Sequence, residues 1–426
     1  MALELVVIKF LDFGFLFHKK RNVMSSTSPL GYYSSHESIN WLKANLNLFY
    51  RLHHLKLHQV IASCASSFIR LVLFSPKTAI ASDFLITQSY FRKDLNDDFQ
   101  LIANKLSPKY LLLQFRSYDR FCLPAIRLSD LKIAWQLSMK IANEWDCERQ
   151  VRAIRILFFL RILEGLKFLY QLDQEASTPK SVISTMEMQF FENLFVQWAN
   201  LRGGVTYGYQ HGYYIDSGPK VTAYSTNPTN YLANVSQFVM VWGEKSELVY
   251  DKYSNTKCIS VGKVSAPSLG SKREKLVNAF DGPLNFVVLL DSHLQVSANL
   301  KILTELAKCC DENITLHYIK HPDDSNDYIS LGKEITHSMV DSSRHLIFGN
   351  NSSVILQYGI LGFNVCLYEK SNFIDNLTEQ KNFKVEFQIF GDVKFAYFDH
   401  ETSADFWKSF ICATGEECLA KIKKHL

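Results

Sequence analysis

Neither a GxGxxG run nor a GxxxxGKS/T run occurs in the 426 residues. Their absence removes the glycine turn that carries a dinucleotide and the loop that cradles phosphates in P-loop enzymes. The nine cysteines (Cys64, Cys122, Cys147, Cys258, Cys309, Cys310, Cys366, Cys412 and Cys418) contain no CxxC pair and no histidine at metal-ligand spacing. That excludes a zinc module or a disulfide framework and fits the reduced, buried thiols of a cytosolic protein. No DxD pair stands at a strand end, Asp323-Asp324 being the nearest cluster, so no bound metal is expected. No arginine-rich or aromatic-basic pattern accompanies the charge, which excludes nucleic acid as the partner. The first 17 residues are apolar, but Glu4, Lys9 and Asp12 interrupt them. His18 to Arg21 follow the run, where a signal peptide puts its charge first, so it reads neither as a signal peptide nor as a spanning helix.

What is present is a long chain with ample apolar content. At 426 residues and 47% hydrophobic residues it holds two domains of ordinary size. The formal charge is only +4, but residues 1–80 carry nine Lys and Arg against three Asp and Glu, so the basic excess belongs to the amino end. Such asymmetry points to an anionic surface, and a membrane ranks above nucleic acid. Residues 1–23 then have two readings. One is an interfacial amphipathic helix whose basic cluster meets lipid headgroups. The other is a helix docked on the protein's own surface, or sequence upstream of a start at Met24.

Residues 38–75 read as helices rich in Leu, His and Arg, and with the basic amino end they make residues 1–75 a helical annex. Apolar runs at 83–87 and 110–113, with a helical pattern over 98–106 between them, form the first strand-helix-strand unit. Helices are predicted over 129–146 and 148–173, the second apolar over too wide a face for a surface helix. A strand at 182–183, a helix over 187–201 and strands at 205–209 and 238–242 follow, and the domain boundary is placed at Gly243. The second half carries strands at 259–261, 285–290, 314–319, 346–348 and 365–368, with helices over 297–309, 325–338 and 354–361. A last helix over 404–425 is placed to cross back to the first domain. This alternation means an α/β fold with doubly wound parallel sheets, one over 76–242 and one over 243–400, and a C-terminal helix within 401–426.

Ligands of such sheets bind at the carboxyl ends of the strands. Gln210-His211-Gly212 stands at one such end, and a histidine there suits general-base work near neutral pH. Tyr213, Tyr214 and Asp216 supply the hydroxyl, carboxylate and aromatic faces that sugars bind. A second strand end carries Lys320, His321 and Pro322, two side chains that reach a phosphate from a turn fixed by proline. A third carries Asn350 to Ser353, with Ser352 and Ser353 at a helix amino terminus that favours an anion. Asp291-Ser292-His293 is a fourth strand-end loop, and Glu187 a further carboxylate. Plain structural readings exist for each, and their recurrence at equivalent loops favours a site.

At these residues the chain resembles bacterial glycosyltransferases of the GT-B architecture, two Rossmann-like domains facing a cleft, over roughly residues 180–370. Capsule and lipopolysaccharide sialyltransferases and Kdo transferases look similar in the second domain, where a His-Pro loop and a Ser-Ser helix start hold the phosphate of a CMP-sugar. The resemblance implies donor binding by Lys320, His321, Pro322, Asn351, Ser352, Ser353, Gln357 and Ser292. It implies acceptor binding by Gln210, Gly212, Tyr213, Tyr214 and Asp216, with His211 as the base where the sialyltransferases place a pair of acids. Gln357 stands where many such enzymes use a glutamate on the donor ribose. The implied activity is transfer of a sugar from a nucleotide-sugar co-substrate to a surface glycan or glycolipid. No other cofactor and no metal is implied, and the place is the cytoplasmic face of a membrane. Polyol-phosphate transferases with a CDP-linked donor are similar too, and a nucleotide-sugar epimerase and a non-catalytic glycan-assembly protein stay open.

Overall fold

A computed structural model describes residues 39–52, 56–75, 80–89, 93–106, 110–114, 120–121, 128–143, 151–185, 187, 189–210, 212, 232–254, 256–265, 284–291, 295–322, 324–340, 345–371, 374, 386–398 and 403–426. The expected features at residues 1–38 lie outside these.

The first sheet runs β3-β2-β5-β6-β7-β8, all parallel. Its strands are β2 (Phe84–Gln88), β3 (Tyr110–Gln114), β5 (Ser181–Ser184), β6 (Val205–Tyr209), β7 (Phe238–Val241) and β8 (Lys257–Ser260). Separately, β1 (Phe74–Ser75) and β4 (Arg120–Phe121) make a short antiparallel pair. Successive side chains of a strand face opposite sides. Leu85 and Val182 therefore enter one core while Ile86 and Ile183 enter another, which is why these strands read as unbroken apolar runs.

Over the Leu85 face pack α1 (Trp41–Leu52), α2 (Leu57–Leu73), α4 (Leu128–Asn143), α5 (Val151–Glu175) and α6 (Phe190–Leu201). Over residues 39–73 the expected annex packs into the first sheet's core. Ile39, Trp41, Val60 and Leu71 share one core with Leu163, Val182 and Phe195. Over the opposite face lie α3 (Lys93–Lys105), through Phe99 and Ile102, and the chain's last helix.

The boundary expected at Gly243 is corrected. Glu244–Tyr253 forms α7, and it returns the chain to β8, which pairs in parallel with β7. Residues 244–260 are therefore the last crossover of the first sheet, and the passage to the second comes after Ser260.

The second sheet runs β11-β10-β9-β12-β13-β15-β14. Five strands are parallel: β9 (Leu284–Leu289), β10 (Ile314–Ile319), β11 (Lys333–Glu334), β12 (His345–Gly349) and β13 (Val365–Tyr368). The hairpin β14 (Glu386–Phe390) and β15 (Val393–Phe398) adds an antiparallel edge. Phe286 and Val288 face one core, Val287 and Leu289 the other. Two helices of this half are α8 (Val296–Ala307) and α9 (Val354–Ile360).

The helix expected over 325–338 is absent. The Asp324 and Asp327 carboxylates accept from the Asn326 and Ile329 amides, both at 3.0 Å, and such local bonds compete with helix formation. The segment continues as β11 and one 3-10 turn over His337–Met339. The expected last helix is two, α10 (Ala404–Phe410) and α11 (Gly415–His425). Trp407 on α10 belongs to the second sheet's core, whereas Cys418, Leu419 and Ile422 on α11 close the first sheet's core. The chain does cross back, and the Tyr207 hydroxyl donates to the His425 carbonyl at 2.7 Å. At the crossing Gly262 (φ 97°) lies against Ala413, where an added Cβ would stand 2.1 Å from the Ala413 carbonyl oxygen. Glycine alone meets both conditions without strain.

Candidate functional site

In an open parallel sheet the crevice for a ligand lies where neighbouring connections leave in opposite directions. In the second sheet that point is between β9 and β12, since the chain runs outward from β9 to β10 and β11 before returning to β12. Asp291, just past β9, and Asn350, just past β12, meet there. The Asn350 Nδ2 donates to Asp291 Oδ2 at 2.8 Å, and the Asn351 amide donates to Asp291 Oδ1 at 3.1 Å. The Ser352 amide donates to the same carboxylate. Asn299 of α8 brackets Asp291 from below, donating to its carbonyl and accepting from its amide, both at 3.0 Å. After β13, the Ser371 hydroxyl donates to the Asn350 carbonyl. Four strand-end or helix segments are thereby tied into one floor. Burial pushes the Asp291 carboxyl up to about 6, against the pull of its three donors.

Two buried polar atoms in the segment that leaves β12 have no partner: Asn350 Oδ1, just past the strand, and Gln357 Nε2, on α9. Asn350 is 4% exposed and Gln357 3%. An unmet acceptor and an unmet donor are costly in a closed interior, and a ligand hydroxyl supplies both kinds of partner. Asn351, Ser352 and Ser353 are half-buried. Ser353 starts α9 without a side-chain capping bond, so its hydroxyl is not consumed there. The amides of Asn351 and Ser352 are already taken by Asp291.

Lys320, His321 and Pro322 follow β10, the strand beside β9. Lys320 is half-buried, with Nζ 3.4 Å from an exposed Glu334 carboxylate. The structure therefore gathers Lys320 to Pro322 and Asn350 to Ser353 along one carboxyl edge. Ser292 lies outside the described residues.

On the first sheet, His211, Tyr213, Tyr214 and Asp216 lie outside the described residues, and Gln210 and Gly212 lie within them. Gln210 is 0% exposed. Its Oε1 accepts from the Trp242 amide at 2.7 Å, and its Nε2 donates to the Gly212 carbonyl and the Ser246 hydroxyl, both at 2.9 Å. Every polar atom of its side chain is engaged within the protein, and one of its bonds ties it to Gly212 two residues on. Beyond β8, Lys263 Nζ lies 5.2 Å from the Trp242 ring centroid. Its charge also reaches His337 of the second half, whose imidazole pKa is lowered first by burial and then by Lys263. The His337 Nδ1 and the Tyr358 hydroxyl are 2.9 Å apart.

Two buried carboxylates support the first sheet's edge. Glu192 occupies the switch point between β2 and β5, accepting from the Ser89 amide at 2.9 Å and the Thr185 amide at 2.7 Å. Glu187 accepts from the Ser184 hydroxyl at 2.6 Å, the Asn234 Nδ2 at 3.1 Å and the amides of Val235 and Ser236 at 2.5 and 2.9 Å. Those bonds make Glu187 a strut for residues 234–236. Asp291, Asn350 and Glu192 are the residues that sequence reasoning undervalued. Position directly after a strand is the one signal that marks the first two.

No family model matches the chain, and no curated protein sequence matches it. Among solved structures it is similar to a UDP complex of MnaA from S. aureus, at 8% identity over 80% of this chain and 91% of that chain, with a TM-score of 0.40. A putative UDP-N-acetylglucosamine 2-epimerase from Listeria monocytogenes gives 9% identity, 81% and 91% coverage and a TM-score of 0.39. An alpha,alpha-trehalose 6-phosphate synthase from Burkholderia multivorans gives 10%, 70%, 86% and 0.38. At such identities and TM-scores the site rests on the chain's own geometry. No helix among the described residues is long and apolar enough to cross a membrane.

Proposed function

We propose that this chain is a glycosyltransferase that takes a sugar from a nucleotide donor held on the second sheet and passes it to an acceptor held on the first. The observation that carries the reading is the buried, unpartnered Asn350 Oδ1 at the second sheet's switch point, followed on α9 by a second such atom, Gln357 Nε2. The hydroxyls of a ribose or sugar can donate to the first and accept from the second. Positive charge for the leaving phosphate comes from Lys320, one strand away, with His321 beside it as a hydrogen-bonding side chain. The Lys320–Glu334 pair is half exposed, a kind worth about 0–1 kcal/mol, so Lys320 is readily redirected to a ligand. Ser353 adds a hydroxyl. The Asn351 and Ser352 amides act indirectly, fixing the loop through Asp291.

On the first sheet His211 stands in sequence between Gln210 and Gly212, which a side-chain hydrogen bond joins, and its assigned role is to remove the proton of the acceptor hydroxyl as it attacks. The acceptor is read as a surface glycan or glycolipid, and a CMP-activated sugar of the sialic acid or Kdo type as the donor. Bringing both sheets onto the substrates orients the reactants and excludes water, which limits donor hydrolysis. A nucleotide-release assay with the matching donor and acceptor tests the roles. His211→Ala is expected to lose transfer while keeping nucleotide affinity. Near-normal turnover by that variant would remove His211 from the mechanism.

A further inference from the structure

The outer layer of the first domain exposes large apolar side chains that its own fold does not use. Along α2, Val60, Ser67 and Leu71 are buried, while Ile61, Ala62, Ala65, Phe68 and Ile69 are exposed. At 3.6 residues per turn those five positions form the face of α2 turned away from the core, with exposed His58 as its one polar member at the amino end. Ile61 and Phe68 are each 56% exposed and Ile69 49%. On α4 the outward pair one turn apart is Leu131 and Trp135, 37% and 51% exposed, and on α5 Ile156 is 49% exposed.

These residues share one surface. From α2, the Cys64 thiol reaches the Ala153 carbonyl at 3.5 Å, Arg70 pairs with Glu164 at 2.8 Å, and Lys167 donates to the Leu71 carbonyl at 3.0 Å. From α4, the Trp135 ring packs against Phe159 at 6.0 Å. At 100° per residue, Ala153, Glu164 and Lys167 line one flank of α5 and Phe159 the other, with Ile156 between them. Thus α2 and α4 both pack on α5, with Ile156 exposed between them. Scattered apolar residues on a surface are ordinary, but six large ones on three packed helices mark an interaction face.

Its charge selects the partner. Lys56, Lys132 and Lys140 are exposed at this layer. α2 contains no carboxylate, and the one acid of α4, Asp130, is 5% exposed. The chain that leads into α2 is the basic part of the sequence, nine Lys and Arg against three Asp and Glu over residues 1–80. An apolar face with lysines beside it and no exposed carboxylate on α2 or α4 has the chemistry of a surface that beds into an anionic bilayer. We infer that the outer face of α2, α4 and α5 docks this protein on an anionic lipid surface, with Phe68, Ile69 and Trp135 entering the headgroup layer. The inference is independent of the donor chemistry.

The test is co-sedimentation of the full chain with vesicles of phosphatidylglycerol and phosphatidylcholine, against phosphatidylcholine alone. Wild type is expected to pellet with the anionic vesicles only, with a blue shift of tryptophan fluorescence that Trp135→Phe removes. Phe68→Ser combined with Ile69→Ser changes exposed positions and is expected to weaken vesicle binding by about tenfold or more without altering circular dichroism. Lys132→Glu combined with Lys140→Glu is expected to abolish the preference for the anionic vesicles. Failure of wild type to pellet, or binding unchanged in both double variants, overturns the inference. So does sedimentation velocity showing that wild type self-associates through this face and becomes monomeric in the Phe68/Ile69 variant, without any vesicle binding.

Discussion

Asp291 should make the second domain less stable as pH rises through the weakly acidic range. Its carboxyl, 4% exposed, is raised from 3.8 to about 6, with burial outweighing the donors on Asn350, Asn351 and Ser352. A carboxyl whose folded pKa lies above its unfolded value binds protons more tightly in the native state. Its contribution is therefore fully present below 3.8 and is lost as pH climbs through about 6. A shift of about two units at ~1.36 kcal/mol each amounts to roughly 3 kcal/mol in all. Roughly 2 kcal/mol of it should fall between about pH 4.5 and about pH 7.5. The assay is urea unfolding of wild type and Asp291→Asn across that range, taking the difference between the two proteins so that shared titrations cancel. Asparagine has no titration, so wild type should lose stability relative to the variant as pH rises. A difference that stays flat, or that moves in favour of wild type with rising pH, would mean that the three donors outweigh burial and that the site's electrostatics are misread.

Glu187→Ala strips the hydrogen-bond partner from the Val235 and Ser236 amides and from the Ser184 hydroxyl. A loss of roughly 3 kcal/mol or more is expected in chemical unfolding, and a loss under about 1 kcal/mol would contradict the strut role. Gly359→Ala places a Cβ 2.2 Å from Trp407 Cδ2. That indole is fully buried and anchored by its Nε1 to the Ser403 hydroxyl at 2.9 Å. About 1–3 kcal/mol of destabilisation and an altered near-ultraviolet circular dichroism are expected, and an unchanged spectrum would show that Trp407 has room to move.

The strands were legible because burial on both faces demands uninterrupted apolar runs, as in Leu284–Leu289 and Ile314–Ile319. Less visible was α7, whose sequence Glu244–Tyr253 is mostly polar and buries only a narrow face through Ser246, Val249 and Tyr250. Its omission put the boundary one crossover too early. Over 325–338 the apolar spacing of Tyr328, Leu331 and Ile335 mimics a helix, and only the capture of backbone amides by Asp324 and Asp327 reveals the loop. The β14–β15 hairpin did leave a signal, two apolar-rich runs about Gly391-Asp392. The strand-end motifs named the right loops in the second half, but not their division of labour. Asp291 and its acceptor role depend on partners 59 and 60 residues away, a pairing that only the sheet order creates.

Calorimetric titration of the full chain with CMP, CDP, UDP and GDP, repeated with Gln357→Leu, tests the proposed donor site most directly. Binding of at least one nucleotide to wild type is expected, weakened by about tenfold in the variant through loss of a buried hydrogen-bond donor. No binding to any of the four, or equal affinity in the two proteins, would contradict a nucleotide seat at the β9–β12 switch point.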